Sequence, residues 1–164
     1  MADKALYILA GYDEITDAHL AAIQQKLYDA GFSGSQTRIF PHITLGSFPT
    51  EMEQELVEKL EAVSENTDSF EVTFNHAGIF GGTRVLFIAP DVNHKLLDLK
   101  EQFGGSYNWT PHTTMLIDDP EVIFKALPVV MDEFSSFSGS VTKLHLYEFF
   151  PARHILSVNL LNHK

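Results

Sequence analysis

Pro41-His42-Ile43-Thr44-Leu45 returns as Pro111-His112-Thr113-Thr114-Met115, 70 residues further along (His42 to His112) in a chain of 164. Proline and threonine each fill about one position in twenty, so eight histidines yield about 0.02 Pro-His-x-Thr matches by chance, and two matches a few times in ten thousand chains. The doubled stretch organises the reading of everything around it.

Each copy sits inside the same succession of elements. Lys4 to Gly11 is an apolar run of strand length. Thr16 to Ala30 has helical periodicity through Ile15, Ala18, His19, Ala22, Ile23, Lys26 and Leu27, with Thr16 or Asp17 as cap and Gly31 as stop. The first motif then lies on a strand. Pro49-Thr50 opens a helix over Glu51 to Val63, and a strand follows from Phe70 to His76. The second half repeats the order. Arg84 to Ala89 is a strand and Asn93 to Phe103 a helix stopped by Gly104-Gly105. His112 to Ile117 is the second motif strand. A helix from Asp119-Pro120 carries Val122, Ile123, Ala126 and Leu127 and is expected to kink or end at Pro128. Ser140 to Phe150 and His154 to Leu161 close the chain as strands, the last without a counterpart in the first half. Such a repeat predicts one bilobal domain over 1–164, lobe one about 1–81 and lobe two about 82–164, with an approximate two-fold axis and the motif strands side by side across a groove.

Along a strand, residues two apart share a face. Thr44 therefore points the same way as His42, and Thr114 the same way as His112. Imidazole titrates near neutrality, so two in one cleft can hold one proton between them as a coupled pair. A neutral ring takes a proton from attacking water while a charged ring gives one to the departing oxygen. The hydroxyls can donate to non-bridging phosphate oxygens as charge shifts. The spacing leaves open which ring is base and which is acid. A metal site is disfavoured by the absence of cysteine, His-x-His and His-Glu-x-x-His, and no cofactor is expected.

The formal charge is −11, with acidic residues gathered at Glu51 to Glu65 and at Asp118, Asp119 and Glu121, read as solvated helix faces. That field disfavours a tight, sequence-independent grip on long DNA or RNA, which is built from basic stripes. Cysteine is absent, which fits a reducing compartment, and the N-terminal apolar run is too short for a signal peptide or a membrane span. The expectation is a soluble cytoplasmic protein.

The doubled Pro-His-x-Thr with its following apolar residue resembles the signature of the 2H phosphoesterase superfamily, which includes proteins named 2′-5′ RNA ligases and the cyclic phosphodiesterases. The resemblance implies an α+β, bilobal fold with two pseudo-symmetric lobes, each with an antiparallel-rich sheet and two helices around a central groove. It implies metal-independent cleavage of 2′,3′-cyclic phosphates or 2′-5′ phosphodiesters. His42 and His112 take the place of the family's catalytic histidines, and Thr44 and Thr114 that of its phosphate-binding hydroxyls.

Outside the motifs the signals are weaker. Arg84, Arg38 and Tyr147 are candidate substrate contacts. Tyr7, Phe87, Tyr147 and Phe149 could stack on a base, although strand aromatics usually belong to a core. His145 and His154 read as hairpin surface residues, and His19, His76, His94 and His163 have no motif partner. The leading expectation is hydrolysis of a 2′,3′-cyclic phosphate or a small nucleotide-like phosphodiester. The alternatives are a 2′-5′ RNA ligase or phosphodiesterase acting on RNA ends, and a non-catalytic nucleotide-binding module of the same fold.

Overall fold

The computed structural model describes residues 3–34, 39–82 and 84–162, so Arg38 and His163 lie outside the described residues. The order is β1 (Ala5–Tyr12), α1 (Glu14–Asp29), β2 (His42–Phe48), a helical turn (Thr50–Met52) leading into α2 (Glu53–Glu65), β3 (Phe70–Ile79), β4 (Val85–Pro90), α3 (His94–Glu101), β5 (Thr113–Ile117), α4 (Pro120–Glu133), β6 (Phe137–Phe149) and β7 (Arg153–Asn159). The fold is α+β, with four helices and one open sheet of seven antiparallel strands.

Six strands run in the order β2-β1-β6-β3-β4-β5, and β7 pairs with β6. Val141 of β6 pairs with Tyr12 on one edge and with Phe70 on the other. Further along β6 the first edge stays with β1 while the second passes to β7. Exchanging β1 with β4, β2 with β5 and β3 with β6 maps this order onto itself, the symmetry the repeated motif predicts. The halves of the sheet are not the halves of the chain, however. β2-β1 takes β6 as its third strand, and β5-β4 takes β3. A division near residue 81 therefore follows the chain and cuts across the pairing. The cause is local: β3 runs into β4 through a short turn, and strands joined that way pair with each other.

The helices cover one face. A single core joins Leu6, Ile8 and Ala10 of β1 and Leu144 and Leu146 of β6 to stripes on α1 (Leu20, Ile23, Leu27) and α2 (Leu56, Leu60, Val63). On α1 the stripe is rotated from the expected one. Asp13, not Thr16 or Asp17, caps the helix, its carboxylate accepting the Thr16 N–H at 2.8 Å. The helix thus starts earlier, and the large residues at Leu20, Ile23 and Leu27 win the buried face while Ile15 stays 83% exposed. Helix α4 runs through Pro128 to Glu133 instead of ending there. A proline inside a helix costs about 3 kcal/mol. Here its ring faces solvent, and burial of Val130 nearby, worth roughly 1.5–3 kcal/mol, offsets that cost. Among the described residues no helix is long and apolar enough to cross a membrane.

Among the described residues no helix packs over the opposite face of the sheet. Although β2 and β5 end the six-strand path, they lie against each other, so the sheet curls until its two motif strands meet.

Candidate active site

Strand parity places the motif side chains on the helix-free face. Ile43, Leu45 and Met115 enter the core, while His42, Thr44, His112 and Thr114 are only partly buried on the other side. Three hydrogen bonds tie the motif strands to their surroundings, to β1, to the loop ahead of β5 and to α1. The buried Tyr12 hydroxyl meets the Thr113 hydroxyl at 2.7 Å. The Trp109 indole N–H donates to the Thr44 carbonyl at 3.3 Å, and the Gln24 amide to the Thr114 carbonyl at 3.1 Å. Each uses the backbone or the alternate residue of a motif strand, and none of the three engages the groove-side hydroxyl of Thr44 or Thr114. Thr44 and His112 line one concavity of about 360 Å³, together with Ser47, Lys100, Asn108 and Trp109.

Both motifs hold their imidazole in the same way. His42 Nδ1 lies 2.9 Å from the Phe40 carbonyl, and His112 Nδ1 lies 2.9 Å from the Thr110 carbonyl. A carbonyl can only accept, so each Nδ1 carries the proton and each Nε2 is the atom that exchanges one. In both cases the carbonyl belongs to the residue before the motif proline. Proline fixes φ and confines its predecessor to extended backbone, which accounts for its place ahead of each histidine. Burial holds His42 below the ordinary imidazole range, with the Phe40 carbonyl opposing and the nearby His112 adding to the fall. His112 is also lowered by burial, against the pull of the Thr110 carbonyl. Burial thus disfavours protonation of both rings.

The other candidate residues divide by face. Tyr147 belongs to the groove face, packed edge-on against Phe40 and stacked with Phe149. Arg84 does not join the site. It shares strand parity with core residues Leu86 and Ile88, and its guanidinium pairs with Asp119 at the start of α4, 3.2 Å away, on the helix side. The aromatics at Tyr7, Phe87, Tyr147 and Phe149 are absent from the helix-covered core, contrary to the usual expectation for strands. Phe87 instead packs against His112 and Phe80. Of the remaining histidines, His19 stacks on Phe137, His76 pairs with Asp91 at 3.6 Å, and His94 opens α3. Among the described residues no cluster of three or more His, Asp or Glu is arranged to hold a metal ion.

One groove residue escapes the motif reading. His145 is not a surface residue of the hairpin but is 9% exposed. It faces Leu9, itself opposite Thr44, and its ring lies 4.4 Å from that of Phe40. Burial, Lys143, His154 and His42 push its pKa down to about 4. The signal was the alternation Lys143, His145, Tyr147, Phe149, which puts four groove-facing residues on one strand.

Two half-sheets meeting at paired His-x-Thr strands define a 2H-type phosphoesterase fold. The family model for the 2′-5′ RNA ligase superfamily matches residues 12–149, and the chain belongs to that superfamily. Among solved structures it is similar to TT0787 of Thermus thermophilus, at 16% identity, TM-score 0.65, and coverage of 98% of this chain and 100% of that one. It is also similar to E. coli LigT in apo form (16% identity, TM-score 0.63, 96% and 97% covered). The complex of LigT with 3′-AMP gives 16% identity, TM-score 0.62 and the same 96% and 97% coverage. No curated protein matches significantly in sequence.

Proposed function

We propose that the protein hydrolyses a 2′,3′-cyclic phosphate or a small nucleotide-like phosphodiester by acid/base catalysis between His42 and His112. The observation that carries this reading is the matched pair of Nδ1–carbonyl bonds, which commits both Nε2 atoms to proton exchange beside groove-facing threonines. Water attacks phosphorus in line with the departing ribose oxygen. His42 Nε2 takes the water proton as the new P–O bond forms. The opposite P–O bond breaks, and His112 Nε2–H delivers its proton to the leaving oxygen. Thr44 and Thr114 donate to the non-bridging oxygens. Each turnover leaves His42 protonated and His112 neutral, and solvent resets both.

The roles follow from environment. Burial favours the neutral form of both rings, and an anionic phosphate favours protonation of a nearby ring. His112 Nδ1 is bonded in a more exposed setting than His42 Nδ1, so His112 carries the shared proton and His42 is the base. E. coli LigT has been crystallised with 3′-AMP, ATP and NADP+, which supports a small nucleotide as ligand. The charge of −11 favours such a ligand over a long RNA.

The test is hydrolysis of 2′,3′-cyclic nucleotides in EDTA, with a 2′-5′-linked dinucleotide as the second substrate. His42→Ala and His112→Ala should each lower turnover by about 10²–10⁴, the usual worth of a general acid or base. Unchanged turnover in both variants would sink the assignment. Turnover of the dinucleotide alone would move it to the 2′-5′ phosphodiesterase reading.

A further inference from the structure

Across β6 and β7, behind the motif histidine of the first half, runs a hydrogen-bonded chain. His145 Nδ1 lies 2.7 Å from the Ser157 hydroxyl, and the same hydroxyl lies 2.7 Å from Nε2 of the exposed His154. His145 and Ser157 are direct cross-strand partners, so the backbone register holds this contact. The other end of the His145 ring leans across β1. Gly11 pairs with both His42 and Lys143, and a Cβ at Gly11 would stand 2.5 Å from His145 Nε2. That nitrogen therefore sits over the glycine next to His42, in a notch that a side chain would fill.

We propose that His145 is a third, substrate-positioning histidine of the groove, and that His154 sets through Ser157 whether its Nε2 offers or accepts a hydrogen bond. The reasoning is proton counting. Ser157 has one hydroxyl proton, so it can donate to only one of the two ring nitrogens, and in the proposed chain it donates to one and accepts from the other. When His154 is protonated its Nε2 carries a proton and must donate. The serine proton then turns to His145 Nδ1, and the single proton of neutral His145 resides on Nε2, presented to the groove. When His154 is neutral the opposite arrangement becomes available. His145 Nδ1 donates to Ser157, the serine donates to His154, and His145 Nε2 becomes an acceptor. The switch takes up one proton, at His154 from solvent, and leaves the charge of His145 unchanged.

The surroundings keep His145 neutral while this happens. Its titratable and charged neighbours are Lys143 and Tyr147 on β6, His154 on β7 and His42 on β2; β1 contributes Gly11 and Leu9, which do not titrate. Its low pKa, near 4, leaves the ring uncharged at the pH where ordinary histidines change state. The ligand chemistry is that of an anionic acceptor, a phosphate or ribose oxygen of the nucleotide bound at His42. This ligand role rests on the proposed hydrolytic reading, whereas the tautomer switch does not.

Two measurements keep those parts separate. Ring ¹⁵N NMR of the free protein, followed from about pH 8 to about pH 5.5, should show the His145 proton moving from a mixture to Nε2 as the pH falls. In Ser157→Ala and in His154→Gln the His145 tautomer should no longer follow pH. A tautomer that ignores both pH and these variants overturns the switch, while leaving the roles of His42 and His112 untouched. The second measurement is binding of 3′-AMP across the same range. Wild type should gain roughly 2- to 10-fold in affinity at the acidic end relative to Ser157→Ala, the worth of one hydrogen bond. Parallel pH profiles for the two proteins would overturn the positioning role even if the NMR switch is seen.

Discussion

Around His42 the groove floor mixes aromatic with titratable side chains, and around His112 it is aromatic. The approximate two-fold puts Leu9 where the other half has Phe87, each opposite a motif threonine. It puts His145 where the other half has Gly78, and Tyr147 where the other half has Phe80. The frame is shared down to the 2.9 Å bond that orients each ring. What lies beside the ring is not. His112 is packed by Phe80 and Phe87, with ring centres 4.7 and 5.5 Å away. The His42 side has one ring neighbour among the described residues, Phe40 at 5.9 Å, and adds Lys143, His145 and the hydrogen-bonded chain to His154. In the proposed mechanism the duplicated geometry supplies two proton-exchanging nitrogens, and the divergence beside them separates the acid from the base.

The largest expected effect tests that division of labour. If His112 is the acid, a phosphodiester with a p-nitrophenolate leaving group needs little protonation. His112→Ala should then recover most of the 10²–10⁴ loss on the aryl substrate, of order that seen for general acids, whereas His42→Ala should not. Measuring kcat for both variants on the aryl and the ribose-type substrate decides it. Recovery in His42→Ala alone would reverse the assignment.

A second effect belongs to one half only. The folded-state pKa of His145, about 4, lies below the ordinary 6.5. Between these values the unfolded chain binds a proton that the folded chain refuses, so stability falls as pH drops through the window and levels off below it. The full span corresponds to roughly 3 kcal/mol. His42 and His112 act in the same direction. Asp17 acts oppositely, because burial raises it to about 6 from 3.8. The difference between wild type and His145→Gln in urea unfolding, between about pH 7 and 4.5, isolates the contribution. The variant should lose a large part of the acid-side decline. Identical slopes would mean that the ring is solvated and titrates normally.

How far the sequence reached is set by what each signal encodes. The motif pair and strand parity were legible because both are local: Thr44 follows His42 on any strand. The succession of elements was legible for the same reason. The exchange of β3 and β6 was not, since nothing in either strand's residues names its partner; the turn between β3 and β4 decides it. Arg84 was misplaced because charge alone does not say which face a side chain takes, although its parity with Leu86 does. His145 was set aside as a hairpin surface residue because it has no motif around it. The alternation along β6 gives its face, but its neighbours come from other strands and follow only from the register of β1, β6 and β7. Periodicity failed at α1 for a smaller reason: the stripe read from the sequence lies about one residue off the buried one, and one residue turns the face by about a quarter of the helix.

The smallest expected effect sets the two halves side by side at their glycines. Gly11 and Gly78 each leave a notch on the groove face, filled from a neighbouring strand by a different ring. A Cβ at Gly11 would meet His145 Nε2 at 2.5 Å and Cδ2 at 3.0 Å; at Gly78 it would meet Phe87 Cζ at 2.6 Å and Cε2 at 3.0 Å. Neither contact is tolerable, so the ring must move, and overpacking of this kind costs roughly 1–3 kcal/mol. The stability losses for Gly11→Ala and Gly78→Ala should therefore be similar. Their kinetic signatures should differ. Displaced Phe87 presses on His112, so Gly78→Ala should lower kcat through the proton donor. Displaced His145 leaves the His42 and His112 rings on their carbonyls, so on the proposed mechanism Gly11→Ala should raise KM while moving kcat less. The two halves diverge in function only if these profiles separate. If both variants lower kcat alone and by equal factors, His145 does nothing for the substrate, and the two notches are merely packing.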